Sequence, residues 1–259
     1  MISALEIKSK ARELGVPVST IERDYAQNWL LKHLSAINMS MKGGTGIRKL
    51  FIMNYRFSDD LDFTLLDNLT KSGLQKAIKE ASHNAREDSG IEFIDEIKMN
   101  RNDNGFAIHT YFRLLRTSGD PIRIKLDITE TDREILVLPS IKKPIIHPFS
   151  DICPAKVNAY PLREIAAEKV RALFERTRPR DIYDVWYLHK HVYITKIKEI
   201  LRKKCSFKNI NIRSSEITKK KGKYSSAWRS SLQHQLRDLP DFNDVFNETI
   251  GIIKKYETD

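Results

Sequence analysis

KGGTGIRKLFIMNYRFSDDLDF, residues 42–63, turns on a pair of glycines and ends in an apolar strand that holds three aspartates within Asp59–Asp62. Carboxylates packed that closely repel one another, and burying them unpaired is costly, so the stretch needs cations to offset its charge. Alternation along Asp60-Leu61-Asp62-Phe63 sends Leu61 and Phe63 to the core and leaves Asp60 and Asp62 on the opposite face, about 6–7 Å apart. Two carboxylates so placed suit a hard cation; Asp59 points away, as a capping or supporting group. Upstream, Gly43 and Gly44 follow an apolar strand predicted around 37–41 and precede a helix predicted over 45–53. Such a turn lets backbone N–H groups and a helix N-terminus face an anion. It is not a dinucleotide fingerprint, because Lys49 stands at the third glycine position, nor a Walker A loop, which needs GK followed by Ser or Thr. A glycine pair by itself is also simply a tight turn.

A third carboxylate gives the first two a context. Asp127 lies within Ile124-Lys125-Leu126-Asp127-Ile128, flanked by apolar residues where a lone charge is expensive. Its parity sets it opposite Leu126 and Ile128. If that strand runs beside the Asp60/Asp62 strand, the three acids form one oxygen cluster suited to two Mg²⁺ ions about 3.5–4 Å apart, the arrangement for in-line phosphoryl chemistry. Arg56 and Ser58, just before the acidic strand, are within reach of phosphate, or of an ion pair with Asp59.

Outward from this core, residues 3–14 are predicted helical, and Ser19-Thr-Ile-Glu22 fits a capping box that opens a helix to about His33. TKSGLQKAIKEASHNARED (70–88) is a third helix, stopped by Gly90. IEFIDEIKM, GFAIHTYFRLL and PIRIKLDITE then alternate as strands. From Pro161 the pattern is helical, in REIAAEKVRALFER and DIYDVWYLHKH. The expected fold class is α+β: a mixed sheet with flanking helices over 1–150, then a helical, basic domain over 151–259, joined by the Pro-containing segment 139–161.

The chain has 259 residues, 41% of them hydrophobic, enough for a real core. It shows no apolar run of membrane-spanning length and no secretory h-region, which places it in the cytoplasm. Cys153 and Cys205 belong to no zinc or disulfide spacing, and the seven His form no HExxH pattern, so any metal is expected to be oxygen-bound. Charge is uneven. Between Lys190 and Arg237, 14 Lys and Arg face only Glu199 and Glu216, while the whole chain carries +11. A single basic run reads as a solvated face. Two runs, Arg202-Lys203-Lys204 and Lys219-Lys220-Lys221, with Tyr224 and Trp228 nearby, raise the case for a polyanion partner, because phosphate neutralisation and base stacking need these residue types.

Gly-Gly-Thr, then the 14 residues Gly46 to Asp59, then Asp-x-Asp and a later strand Asp is the pattern of the DNA polymerase β-like nucleotidyltransferase superfamily. More narrowly, IERDY (21–25), MKGGTGIRKL (41–50), RFSDDLDF (56–63), LDI (126–128), AAEKVRALFER (166–176) and RDIYDVWYL (180–188) resemble the AbiEii/AbiGii-type nucleotidyltransferase toxins of bacterial type IV toxin–antitoxin systems. The resemblance covers most of residues 20–190. It implies that Gly43, Gly44 and Thr45 hold the triphosphate of an NTP substrate. Asp60 and Asp62 would bind metal, and Asp127 would complete the site as ligand or base. Lys169 would contact the nucleotide phosphates, and Asp181 or Asp184 would organise the second half of the cleft. Thr45 stands where the wider superfamily has Ser, which keeps the hydroxyl.

The helical residues also have plainer readings. Lys169 flanks an apolar stripe of Ile165, Ala166, Val170 and Leu173, and Asp181 follows Pro179 at a helix start, where a cap is favoured. Asp184 lies one turn on, in reach of Arg180 or Lys169. The function expected is Mg²⁺-dependent transfer of NMP from an NTP to an RNA acceptor, the tRNA 3′ end, arresting growth, with a cognate antitoxin protein as partner. Nucleotidylation of a small molecule or protein stays open, as does a catalytically silent nucleic-acid- or partner-binding module.

Overall fold

The structure is a computed structural model that describes residues 1–116, 118–193 and 195–257. It divides into two compact units, Met1–Glu134 with Ser140–Tyr160, and Ile135–Pro139 with Pro161–Asp259. The first unit contains α1 (Ala4–Glu13), α2 (Val18–Leu34), β1 (Met39–Lys42), α3 (Gly43–Leu50), β2 (Asp60–Leu65), α4 (Lys71–Ser89), β3 (Glu92–Asn102), β4 (Gly105–Arg113), β5 (Ile122–Thr129), β6 (Ile141–Pro144) and β7 (Lys156–Ala159). Its strands form one seven-stranded sheet in the order β3-β4-β5-β2-β1-β7-β6. β2 pairs with β5 and β1 with β7 in parallel, and the other neighbours are antiparallel. The sheet is therefore mixed and the class α+β, as expected.

Period-2 alternation fixes which face is buried. Leu61, Phe63, Ile124, Leu126, Ile128, Phe106, Ile108 and Phe112 all enter the core. α4 presents Leu74, Ile78, Ala81 and Ala85 at helical spacing and packs them toward α2 and β3. Each such large aliphatic contributes roughly 1.5–3 kcal/mol by burial. Thr70 caps α4 by accepting from the Gly73 N–H at 3.1 Å, and Gly90 ends it in the left-handed region at φ 71°. The predicted capping box at Ser19 does not form: α2 starts two residues earlier, with Pro17 rather than Ser19 as its N-cap, and Glu22 instead accepts from the Leu115 N–H at 3.0 Å. β6 and β7 lie in the segment expected to be only a join. Because β7 pairs with β1, residues 151–160 pack with the sheet, and the first unit ends at Tyr160 rather than at 150.

The second unit is helical: α5 (Leu162–Glu175), α6 (Pro179–His189), α7 (Thr195–Phe207), α8 (Ser214–Lys219), α9 (Lys221–Leu232) and α10 (Phe242–Lys254). Three residues expected to face RNA belong to its interior. Tyr224 packs on Phe246, while Trp228 meets Phe242 edge-on at 5.5 Å and donates its indole N–H to the Pro240 carbonyl at 3.0 Å. Tyr224, Trp228 and Leu232 form a stripe along α9, so neither aromatic is open to a base. Lys204 is fully buried, its ammonium held by Glu164 at 3.0 Å, Glu168 at 3.1 Å and the Ile135 carbonyl at 2.7 Å. An unpaired carboxylate at Glu164 would be intolerable there, and Lys204 is its counter-ion. Arg202, Lys203 and Lys219 are exposed, with Lys220 and Lys221 half-buried.

Candidate active site

β2 and β5 lie side by side, and their register places Asp62 opposite Asp127 and Asp60 opposite Lys125. All four residues are half-buried, with Leu61 and Leu126 turned to the other, buried face. The sheet thus brings the three predicted carboxylates onto adjoining positions of one face. Lys125 Nζ reaches Asp127 Oδ2 at 2.7 Å and supplies a positive charge within the cluster.

The glycine turn is built onto these acids. Lys42, the last residue of β1, pairs with Asp62 across the ladder, so α3 begins against the Asp62 side chain. Gly43 has φ +72°, and a Cβ on it would stand 2.0 Å from Asp62 Oδ2. Only glycine satisfies both the backbone angle and that approach. At Gly44 a Cβ would meet Arg56 Nη2 and Ser58 Oγ, each at 3.0 Å, which puts both polar side chains beside the turn. Arg56 is buried and donates to the Phe57 carbonyl at 3.1 Å. The Thr45 hydroxyl is turned inward, donating to the Asp60 carbonyl, so it ties the first turn of α3 to β2. The first N–H groups of α3 have no acceptor within the helix, a favourable place for an anion.

Sequence reading missed the frame behind this site, in which every polar residue of IERDY is engaged. Arg23 pairs with Asp59 at 2.6 Å, so Asp59 is bound by α2 rather than serving the site. Asp24 takes Arg48 at 3.1 Å and Lys49 at 2.8 Å, joining α2 to α3. Burial pushes the Asp24 carboxyl up, but the Lys49 and Arg48 charges outweigh it and hold the group below the usual carboxylate range. Tyr25 donates to Asp151 at 2.5 Å, and the Gln27 amide donates to the Ser58 and Asp59 carbonyls. Three charged residues in a row, Glu22-Arg23-Asp24, within the helix α2 were the available signal.

In the second unit, Lys169 on α5 sits 2.8 Å from Asp184 Oδ2 and 3.7 Å from Asp181 Oδ1 on α6. Arg176 grips Asp181 through two hydrogen bonds of 2.7 and 3.0 Å. Both carboxylates are buried. For Asp181, burial raises the pKa, but the Arg176 hydrogen bonds and the Lys169 and Arg176 charges bring it below the ordinary value. The pairing of Lys169 with Asp184, one of two expected from the sequence, is the one that forms.

An all-oxygen set of two carboxylates on one strand face, with a third opposite, fits Mg²⁺. That ion is commonly held by one or two carboxylates and completed by water and substrate phosphates. Among the described residues, no three metal-binding side chains are gathered into a preformed cage.

The model of the nucleotidyl transferase AbiEii toxin family, from type IV toxin–antitoxin systems, matches residues 28–248. No curated protein sequence matches the chain. Among solved structures, the fold is similar to MenT4, a nucleotidyltransferase toxin of Mycobacterium tuberculosis, at 17% identity and TM-score 0.66, over 100% of this chain and 92% of that one. It is also similar to JHP933 of Helicobacter pylori, at 18% identity and TM-score 0.60, over 93% of each chain.

Proposed function

Because the chain belongs to the AbiEii family of nucleotidyltransferase toxins, we propose that it transfers NMP from an NTP to an RNA acceptor, the 3′ end of a tRNA, and so arrests growth in the cytoplasm until an antitoxin protein opposes it. The observation that carries this reading is the contact of two separate sequence features. Gly43 of the turn abuts Asp62, and Asp62 faces Asp127 across the β2–β5 pair.

In the proposed mechanism the triphosphate lies at the N-terminus of α3, its oxygens accepting from the first-turn N–H groups and from Arg56 and Ser58 beside Gly44. Thr45 acts from behind, keeping that turn on β2. Asp60 and Asp62 would hold Mg²⁺, which would supply positive charge against the negative charge developing on the transferred phosphate and the pyrophosphate. Asp127 takes the proton of the attacking hydroxyl as the new P–O bond forms and pyrophosphate leaves. Lys125 limits the repulsion among the three acids in the resting protein. Lys169 is assigned to nucleotide phosphate by family resemblance, with Asp184 fixing its amine and Asp181 supporting the pair.

Incubation with α-labelled NTPs, Mg²⁺ and total tRNA tests the reading. Label should enter the RNA at its 3′ end and depend on Mg²⁺. Label in protein or small molecules only would refute the RNA acceptor, and no label anywhere would refute the transferase.

A further inference from the structure

The face that carries Asp60, Asp62 and Asp127 continues past β5 onto β4 and β3. On β4 the even residues Phe106, Ile108, Thr110 and Phe112 are buried, while Ala107, His109, Tyr111 and Arg113 turn to the other, partly open side. Register then lays out a surface. Ala107 is opposite Asp127, His109 opposite Lys125 and Tyr111 opposite Arg123. One strand further, Lys98 is opposite His109 and Ile94 opposite Tyr111. Leaving the carboxylates, the face therefore presents Lys125, His109, Arg123, Tyr111, Lys98 and Arg113.

Two properties of this surface decide what it suits. It has partly open rings set among cations: Lys98 Nζ stands 5.8 Å from the centre of the Tyr111 ring. The His109 pKa is lowered, first by burial and then by the Arg123 and Lys125 charges, so its imidazole is a neutral plane near pH 7. Its acids are weak competitors. Glu92 and Glu96 lie 3.8 and 3.9 Å from Arg113 and Lys98, and both are exposed, so these pairs hold little and yield to phosphate. Flat side chains on a sheet, flanked by Lys and Arg, are how unpaired bases and their backbone are bound; a duplex keeps its bases stacked inside.

We propose that the open face of β3, β4 and β5 is the acceptor platform, on which a single-stranded RNA end lies with bases on Tyr111 and His109 and phosphates on Lys98, Arg113 and Arg123, delivering its terminus to Asp127. The proposal rests on the RNA-acceptor reading above. It relocates the binding surface from the C-terminal basic runs, where Tyr224 and Trp228 are buried in the core, to the sheet that holds the carboxylates. His109 and Tyr111, two positions apart on one strand, are separated by about 7 Å along it, which gives two successive bases separate seats.

The test is fluorescence anisotropy of a fluorescein-labelled single-stranded RNA oligonucleotide with the full chain, without NTP, at several salt concentrations. Tyr111→Ala should weaken binding about tenfold, with Tyr111→Phe close to wild type, since the ring and not the hydroxyl stacks. Lys98→Gln with Arg123→Gln, both at exposed positions that leave the core untouched, should flatten the slope of log affinity against log salt by about 0.7 for each phosphate no longer neutralised. Lys219→Gln with Lys220→Gln and Lys221→Gln should leave binding near wild type. If Tyr111→Ala and the Lys98/Arg123 variant bind as wild type does while the triple lysine variant fails, the platform is overturned and the C-terminal runs are the RNA surface. Equal affinity for a duplex of the same sequence overturns the single-strand assignment. Absence of any RNA binding by the wild-type protein overturns the RNA-acceptor reading itself.

Discussion

Gly43→Ala is the sharpest probe of how the turn and the acids depend on each other. The new Cβ would sit 2.0 Å from Asp62 Oδ2, 2.7 Å from Cγ and 2.9 Å from Cβ. Carbon atoms rest about 3.5–4.0 Å apart, so the carboxylate must swing away, and the strand or the turn must also give by roughly 0.6–1 Å. The φ of +72° adds a cost of about 1–2 kcal/mol for any residue with a Cβ. Together with overpacking of about 1–3 kcal/mol, the total is roughly 2–5 kcal/mol. At about 2–4 °C per kcal/mol, the melting temperature should fall by roughly 4–20 °C.

Activity should suffer more than stability, because a catalytic group displaced by about 1 Å can lose about 100-fold in rate. Gly90→Ala is the control. Gly90 has φ +71°, but nothing lies within 4 Å of the place its new methyl would take, so it carries the backbone strain without the clash. Differential scanning fluorimetry and single-turnover incorporation of labelled NTP, run on both variants, separate the two effects. Gly43→Ala incorporating at the wild-type rate, or Gly90→Ala losing as much activity as Gly43→Ala, would refute the reasoning.

Asp60→Asn should abolish incorporation and leave the melting temperature unchanged or raised, since it removes one of three like charges at constant shape; wild-type incorporation at saturating Mg²⁺ would sink the metal assignment. For acid stability, the sign follows from the lowered pKa of Asp181: its ionised form stabilises the fold above the ordinary Asp value of about 4, and that stability is lost as pH falls through the folded value. Arg176→Leu removes the hydrogen bonds that lower it, so acid unfolding, followed by circular dichroism, should begin at higher pH than in wild type, and an unshifted acid midpoint would contradict the proposed balance.

The parity of Asp60, Asp62 and Asp127 was legible because a strand has a period of two and their apolar neighbours fix its phase. That β2 and β5 are neighbours was a condition the sequence could state and not decide, since strand order is set by tertiary packing. β6 and β7 escaped because they are only four residues each: β6, IKKP, has no alternation to read, and the alternation of β7, KVNA, is too short to stand out. Lys204, Tyr224 and Trp228 were misplaced for a different reason. Charge was counted along the run without its helical phase, although Ile197, Ile200, Leu201 and Cys205 mark the inward stripe on which position 204 falls. Asp24 and Lys49 are 25 residues apart, and no local pattern announces that pair.

Burial sorts the acids into two sets, while pairing does not, since Asp127 also has a cation, Lys125, at 2.7 Å. Asp24, Glu164, Asp181 and Asp184 are buried, and each has a cation close by: Lys49 at 2.8 Å, Lys204 at 3.0 Å, Arg176 at 2.7 Å and Lys169 at 2.8 Å. Asp60, Asp62 and Asp127 are half-open and can meet an arriving ligand. By this criterion Lys169 and Asp184 belong to the framework, although family resemblance assigns Lys169 to phosphate, and a single substitution cannot separate the two. Lys169→Met alone removes the ammonium that stands 2.8 Å from the buried Asp184 carboxylate, and breaking a buried ion pair from one side costs about 3–5 kcal/mol whatever else Lys169 does. Adding Asp184→Asn removes the carboxylate's charge as well, and a buried ion pair replaced by neutral groups of similar volume is often close to neutral in stability. The double variant should therefore recover most of the melting temperature. If Lys169 binds phosphate, NTP affinity and incorporation stay low despite that recovery; if both return with the melting temperature, Lys169 is a structural counter-ion and leaves the catalytic set.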